Sequence, residues 1–286
     1  MRLSIVHTTT YAFARAVRFH PHRLMLRPRN NHDLHVAAHD LKCTPAARIA
    51  WSQDVFGNLV ATAAFDAPAE RLEIASRLVV ETSAAPWPVF QIAPEAHSYP
   101  FPHSDDEFID LGPLLRPVRA DPQVAAWARG FIRSNPTDTL SLLKDLNAGV
   151  LAAAAYRPRD EEGTQTAAET LDLGSGSCRD LAALFIDAVR HLGFGARAVS
   201  GYLFDPDAEG LQPDTTHAWA EVYLPGAGWI AFDPTHGRTG GAGLIPVAIG
   251  RCNGQIMPIT GSYAGEPGDF VGMTVRVRMA TEQAGA

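Results

Sequence analysis

Residues 177–233 read as one amphipathic helix followed by three strands, and this succession constrains the fold more than any other stretch of the 286-residue chain. Leu181, Leu184, Phe185, Ala188, Val189 and Leu192 recur at helical spacing and form one apolar stripe. Ser177 stands at the N-cap position, and Asp180, three residues on, is placed to reach back to it. Gly193 supplies a left-handed stop after Leu192. Residues 196–204, 217–224 and 228–233 then carry strand patterns. The order fits a helix packed on an antiparallel sheet.

The first 85 residues read differently. Residues 4–13, 34–41, 49–53 and 72–82 are rich in β-branched and aromatic side chains. Val55-Phe56-Gly57-Asn58-Leu59-Val60 reads as a tight hairpin in which Gly57 and Asn58 take positive φ. Short strands with turn signals predict an N-terminal antiparallel β-sandwich over 1–85. The basic residues between Arg15 and Arg29 are interrupted by histidines and prolines and read as solvated surface. Prolines at 86, 88, 94, 100, 102, 113 and 117 mark 86–118 as a linker. Residues 119–286 are expected to form the second unit, with helices starting near Asp121 and Thr139. Beyond Gly237 the chain reads as Gly-rich and irregular, apart from a last strand at 271–279. The predicted fold class is α+β.

Composition excludes several roles. A net charge of −7 gives no electrostatic support for nucleic-acid binding. No apolar run reaches the roughly 18–20 residues that cross a membrane. The N-terminus lacks the apolar core and cleavage site of a signal peptide, so a cytoplasmic location is expected. Cys43, Cys178 and Cys252 are too few and too dispersed for a disulfide framework. His20 and His22, then His32, His35 and His39, then His97 and His103 form loose clusters with no complementary half-site, so no metal and no cofactor is expected. Asp105-Asp106-Glu107 reads as a solvated loop.

Three residues carry candidate chemistry. Cys178 falls in the first turn of its helix, where unpaired N–H groups and the positive end of the macrodipole favour a thiolate. The same N–H groups can stabilise an oxyanion. Period two sends His217, Trp219, Glu221 and Tyr223 to one face of their strand, an unusual set for a core and a plausible cleft wall. A three-residue loop, Pro225-Gly226-Ala227, would pair Trp219 with Asp233. His217 and Asp233 would then be diagonal neighbours, with Cα atoms roughly 7–8 Å apart. A thiol, a histidine and an aspartate are what a nucleophilic triad requires. Gly176 and Ser177 beside the thiol, Trp219 and His236 are the candidate substrate-binding residues.

At these residues the chain resembles the bacterial transglutaminase-like superfamily, whose core is papain-like. Gly176-Ser-Cys178-Arg-Asp, Gly195-Ala-Arg197-Ala-Val-Ser-Gly201-Tyr202, His217-Ala-Trp-Ala-Glu and Gly228-Trp-Ile-Ala-Phe-Asp233-Pro-Thr carry the likeness. His7-Thr-Thr-Thr-Tyr11, Leu26-Arg-Pro28 and Phe56-Gly-Asn58 are similar to the β domain that precedes this core in many bacterial members. The resemblance implies Cys178 as nucleophile, His217 as base and Asp233 as its orienting acid. Two positions depart from the pattern: His236 stands where an Asn-like residue is expected, and Arg251-Cys252-Asn253 where Arg-Asp is usual. The expected activity is a cysteine-dependent peptidase or amidase that acts on a peptide or protein amide through a thioester. The alternatives are a protein-glutamine acyltransferase and a catalytically silent peptide-binding module. A zinc hydrolase built on the histidine clusters is a third reading.

Overall fold

The computed structural model describes residues 1–85, 90–159, 161–205 and 215–282. Six strands come first: β1 (Arg2–Phe19), β2 (His22–Arg27), β3 (Leu34–Thr44), β4 (Ala47–Gln53), β5 (Leu59–Phe65) and β6 (Ala69–Thr82). Helices α1 (Asp105–Leu111), α2 (Pro122–Arg129) and α3 (Thr139–Ala153) follow. Next come the short strand β7 (Ala155–Tyr156), α4 (Ala167–Leu173), the short strand β8 (Ser175–Gly176) and α5 (Cys178–His191). Strands β9 (Ala196–Leu203), β10 (His217–Leu224), β11 (Gly228–Asp233), β12 (Leu244–Gly250) and β13 (Phe270–Thr281) complete the order. The fold is α+β, with an antiparallel β unit ahead of a helix-on-sheet core.

Alternation builds the first unit. Leu3, Ile5, His7 and Thr9 point inward along β1, with partly buried neighbours between them. β1 pairs β6 on one side and β13 on the other, and β3 lies beyond β6. A second antiparallel sheet holds β2, β5 and β4. Phe13, Phe19, Leu24, Leu26, Phe65, Leu72 and Ile74 fill the space between the sheets.

In the second unit the sheet order is β11–β10–β9–β12, all antiparallel. Leu181, Leu184, Phe185, Ala188 and Val189 of α5 pack on Ala196, Ala198, Ala220, Val222 and Phe232. Phe185 and Phe232 meet with ring centroids 5.3 Å apart. Each large apolar side chain buried there contributes roughly 1.5–3 kcal/mol. Leu142, Leu143, Leu146 and Val150 of α3 and Val124 and Ala128 of α2 join the same core. No helix among the described residues is long and apolar enough to cross a membrane.

Several expectations need correction. Residues 22–27 form a strand that the basic run concealed, while Arg15, Arg18 and Arg29 around it are exposed. Leu24 and Leu26 pack in the sandwich and Met25 in the second unit's core, so both faces are buried. Residues 244–250 form β12 although they read as irregular. Leu244, Ile245, Val247, Ala248 and Ile249 are all buried, which removes the alternation that marks a half-exposed strand. Within 86–118, Ser104 and Glu107 cap α1 reciprocally, so the acidic run is a helix start. Positions 86–89 of the predicted linker lie outside the described residues. The expected unit 119–286 is not contiguous in space: β13 pairs β1 from Leu3↔Thr281 to Phe13↔Phe270 and covers what would be an open sheet edge.

The hairpin at 54–58 also differs. Gly57 takes φ +75°, and no residue other than glycine has positive φ among the described residues. Asn58 is instead buried and docks the two units. Its side-chain amide donates to Ile249 O at 2.7 Å, and its Oδ1 accepts from Ile249 N at 2.9 Å. It thus pairs with β12 as a neighbouring strand residue would. Asn58→Ala leaves two buried backbone groups without partners, and a loss of about 2–4 kcal/mol is expected in denaturant unfolding. An unchanged midpoint would show that the units dock without this contact.

Candidate active site

Cys178 is the first residue of α5 and is half-buried. What lies beneath it is a carboxylate. Asp180, fully buried, accepts from the Ser177 N–H at 2.9 Å, the Ser177 hydroxyl at 2.7 Å and the Gln165 N–H at 2.8 Å. Arg159 Nε adds a fourth contact at 3.1 Å. Burial opposes the charge, but these donors outweigh it and hold the Asp180 carboxyl below its ordinary range. Asp180 thereby ties the 159–165 segment to the helix start that presents the thiol. The expected capping role of Asp180 is seen; its hold on Arg159 and Gln165 was not legible, because neither stands at a fixed spacing from it.

The register of β10 and β11 is the one the chemistry needs. Leu224 pairs with Gly228, Tyr223 with Trp229 and Ala220 with Phe232, leaving Pro225-Gly226-Ala227 as a three-residue loop. His217 Nε2 and Asp233 Oδ2 are 2.8 Å apart, both side chains buried. His236 Nδ1 lies 2.8 Å from the same Oδ2. A carboxylate can only accept, so both ring nitrogens facing it carry their protons. Asp233 Oδ1 accepts the Thr235 N–H at 3.0 Å. With Nε2 committed to Asp233, Nδ1 is the His217 atom left to serve the Cys178 thiol.

This geometry fixes the electrostatics. Burial disfavours an imidazolium at His217, but Asp233 and Cys178 outweigh it and raise the His217 pKa to about 10. Burial likewise opposes the Asp233 charge, and the donors His217 and His236 hold its carboxyl well below the usual carboxylate range. Among the described residues, His217, Asp233 and His236 are the one set whose ligand atoms, all within 4.8 Å of one another, could gather on a cation. Their mutual hydrogen bonds are the arrangement of a proton relay.

The four candidate substrate-binding residues fare differently. Trp219 is 1% exposed and packs with Val199, Leu203, Leu244 and Ile249, so it offers no surface to a substrate. It stacks on His217 instead, with centroids 5.9 Å apart, and fixes the ring's plane. Gly176 is buried, and a Cβ there would come within 2.8 Å of Asp180 Cβ, so packing alone requires a glycine. Gly174 takes φ +58° to end α4. Ser177 is buried under its bonds to Asp180. Only His236, of the four, keeps an exposed side chain, at 38%. Glu221 and Tyr223, on the same strand face, are held by Arg197 and Glu107 respectively.

Comparison with known proteins bears on the fold and its domains. Residues 3–81 match the bacterial transglutaminase-like N-terminal region, and residues 125–234 match the transglutaminase-like superfamily. The chain carries a bacterial transglutaminase-like N-terminal region followed by a transglutaminase-like core domain. Among its relatives, protein Rv2569c of Mycobacterium tuberculosis is 28% identical over 277 residues, covering 91% of this chain and 87% of its own length. Protein ML0607 of Mycobacterium leprae is 26% identical, over 96% of this chain and 98% of its own. A crystal structure described as a candidate cysteine protease from Cytophaga hutchinsonii superposes with a TM-score of 0.73. It is 21% identical and covers 100% of this chain and 92% of that one, a likeness that shows the transglutaminase-like fold throughout.

Proposed function

We propose that this transglutaminase-like protein is a cysteine-dependent peptidase or amidase. The supporting observation is the buried His217–Asp233 hydrogen bond, which leaves Nδ1 of His217 available, together with a half-buried thiol, on the first turn of a long helix, whose charge helps raise the His217 pKa. His217 Nδ1 takes the thiol proton, and Sγ attacks the carbonyl carbon of a peptide-like amide. The N–H groups of the first turn of α5 stabilise the oxyanion. The imidazolium then gives its proton to the amide nitrogen, the C–N bond breaks, and an amine leaves behind a thioester on Cys178. Water attacks the thioester with His217 again as base, which releases the acid and restores the thiol. Asp233 holds the imidazole in the required tautomer and balances its charge throughout.

Half-exposure of Cys178 favours water as the acyl acceptor. The discriminating experiment supplies an unfolded, glutamine-containing protein together with a fluorescent primary amine. Release of new termini or ammonia without label in the protein is expected. Amine incorporation exceeding hydrolysis would identify an acyltransferase instead. Neither product from a folded protein with a reactive Cys178 would leave a peptide-binding module.

A further inference from the structure

The N-terminal β unit carries a second cleft, lined by Arg27 of β2, Val36, His39 and Leu41 of β3, and Ile49 and Trp51 of β4, with a volume of about 370 Å³. It opens where the two sheets part. β3 and β4 are the outer strands of their sheets, β3 beyond β6 and β4 beyond β5. Period two puts Trp51 on the same face of β4 as Ala47 and Ile49, which pack against the sandwich core. Trp51 nevertheless stays 45% exposed, because nothing closes over it. Its ring meets His39 edge to face, with centroids 5.7 Å apart.

A bulge decides which charges face this cleft. Val36 pairs with Val80 and Ala38 with Val79, so Ala37 is an extra residue in β3. Alternation is shifted by one beyond it. His39 and Leu41 then stand opposite the buried Leu78 and Ser76, while Asp40 stands opposite the exposed Arg77. Without the extra residue Asp40 would face inward toward Arg27. Asp40 still borders the cleft, but its carboxylate pairs with Lys42 at 3.2 Å. His39 supplies no counter-charge either. Its Nε2 donates to Ser76 Oγ at 3.2 Å, and burial together with the Arg27 charge pushes its pKa down to about 4, so the ring is neutral at pH 7.

Arg27 is therefore a half-buried cation without a partner. Its Nε is wholly buried with no acceptor, and among the described residues no group accepts from any of its N–H donors. A guanidinium withdrawn from water in this way is costly unless a planar anion meets its fork. Arg27 also belongs to the Leu26-Arg-Pro28 motif, for which the thiol site has no use.

We propose that this cleft is a binding site for a carboxylate carried on an apolar or aromatic body, with Arg27 forking onto the carboxylate and Trp51, Val36 and Ile49 covering the apolar part. The site is separate from the thiol chemistry and does not depend on it. One unpaired cation beside a neutral histidine matches a single negative charge; a phosphate dianion would keep a charge uncompensated. The volume suits one amino-acid-sized acid or the C-terminal residue of a peptide.

The test is calorimetric titration of the full chain at pH 7 with N-acetyl-phenylalanine and with its uncharged amide. The acid is expected to bind with a Kd of about 1 mM or below, and the amide about tenfold more weakly or worse. Arg27→Gln should level the two ligands, and Trp51→Ala should weaken both severalfold, with thermal melts confirming the fold. If Arg27→Gln does not fold, Arg27→Lys keeps the charge, loses the fork and should still shrink the ratio. Ala-Ala-Ala-Phe with a free C-terminus separates the two sources: tighter binding than the single acid identifies a chain end, equal binding a small acid. Equal affinities for acid and amide, selectivity that survives loss of Arg27, or phenyl phosphate binding more tightly than the acid would overturn the proposal.

Discussion

Cys178→Ala is expected to abolish amide turnover, by a factor on the order of 10⁵–10⁶, while the protein melts within about 2 °C of wild type. No other described side chain is placed to take over. Cys43 is a β3 residue, and burial pushes its thiol up to about 11. Cys252 begins the turn after β12. The fold has little at stake in the substitution. Position 178 opens a helix, alanine is the best helix former, and the thiol is half-buried. The bonds that shape the helix start run through Ser177 and Asp180 and stay in place. Single-turnover assays beside thermal melts check both halves. Turnover that survives the substitution removes Cys178 from the chemistry.

Asp233→Asn has the second largest expected effect, a loss on the order of 10⁴ in rate with the fold retained. Asp233 Oδ2 accepts from two imidazoles and Oδ1 from Thr235 N–H. Asparagine offers one oxygen and one NH₂, so a donor must face a donor. If the NH₂ faces His217, the ring must shift its proton to Nδ1 to escape the clash. An Nδ1–H cannot accept the thiol proton, and the base is lost. Mismatched donors in a buried site also cost about 1–3 kcal/mol.

The pH dependence of that stability loss follows from signs. The His217 pKa is raised in the folded state, so its contribution is full below the unfolded value of about 6.5 and is lost as pH rises through about 10. The Asp233 pKa is depressed, so its contribution is present above the unfolded value of about 3.9 and is lost as pH falls through the folded one. The melting-temperature gap between wild type and Asp233→Asn should be widest between about pH 4 and 6.5 and narrow toward pH 10. A gap independent of pH would mean that His217 and Asp233 are not an ion pair.

Legibility in the sequence tracked one-sidedness. α5 has one apolar face and clear end signals, so its start and stop could be read, and with them the position of Cys178. The β10–β11 register followed from loop arithmetic once His217 and Asp233 had to share a face. β2 and β12 were hidden because both of their faces are buried between the two units. β13 was recognisable as a strand by its alternation, but nothing local names a partner at the opposite end of the chain. Trp219 misled for a related reason: two residues beyond His217 the strand face leaves the site and enters a cluster with Val199 and Phe56.

The central claim, that His217 activates Cys178, is tested most directly by site-resolved iodoacetamide labelling across pH 5–9, with Cys43 and Cys252 as internal standards. At about pH 6 an ordinary thiol of pKa about 8.5 is almost wholly protonated and reacts slowly. Fast labelling of Cys178 there, with the excess lost in His217→Ala, is the expected result. Labelling of Cys178 no faster than the two standards, or an excess that survives His217→Ala, would contradict it.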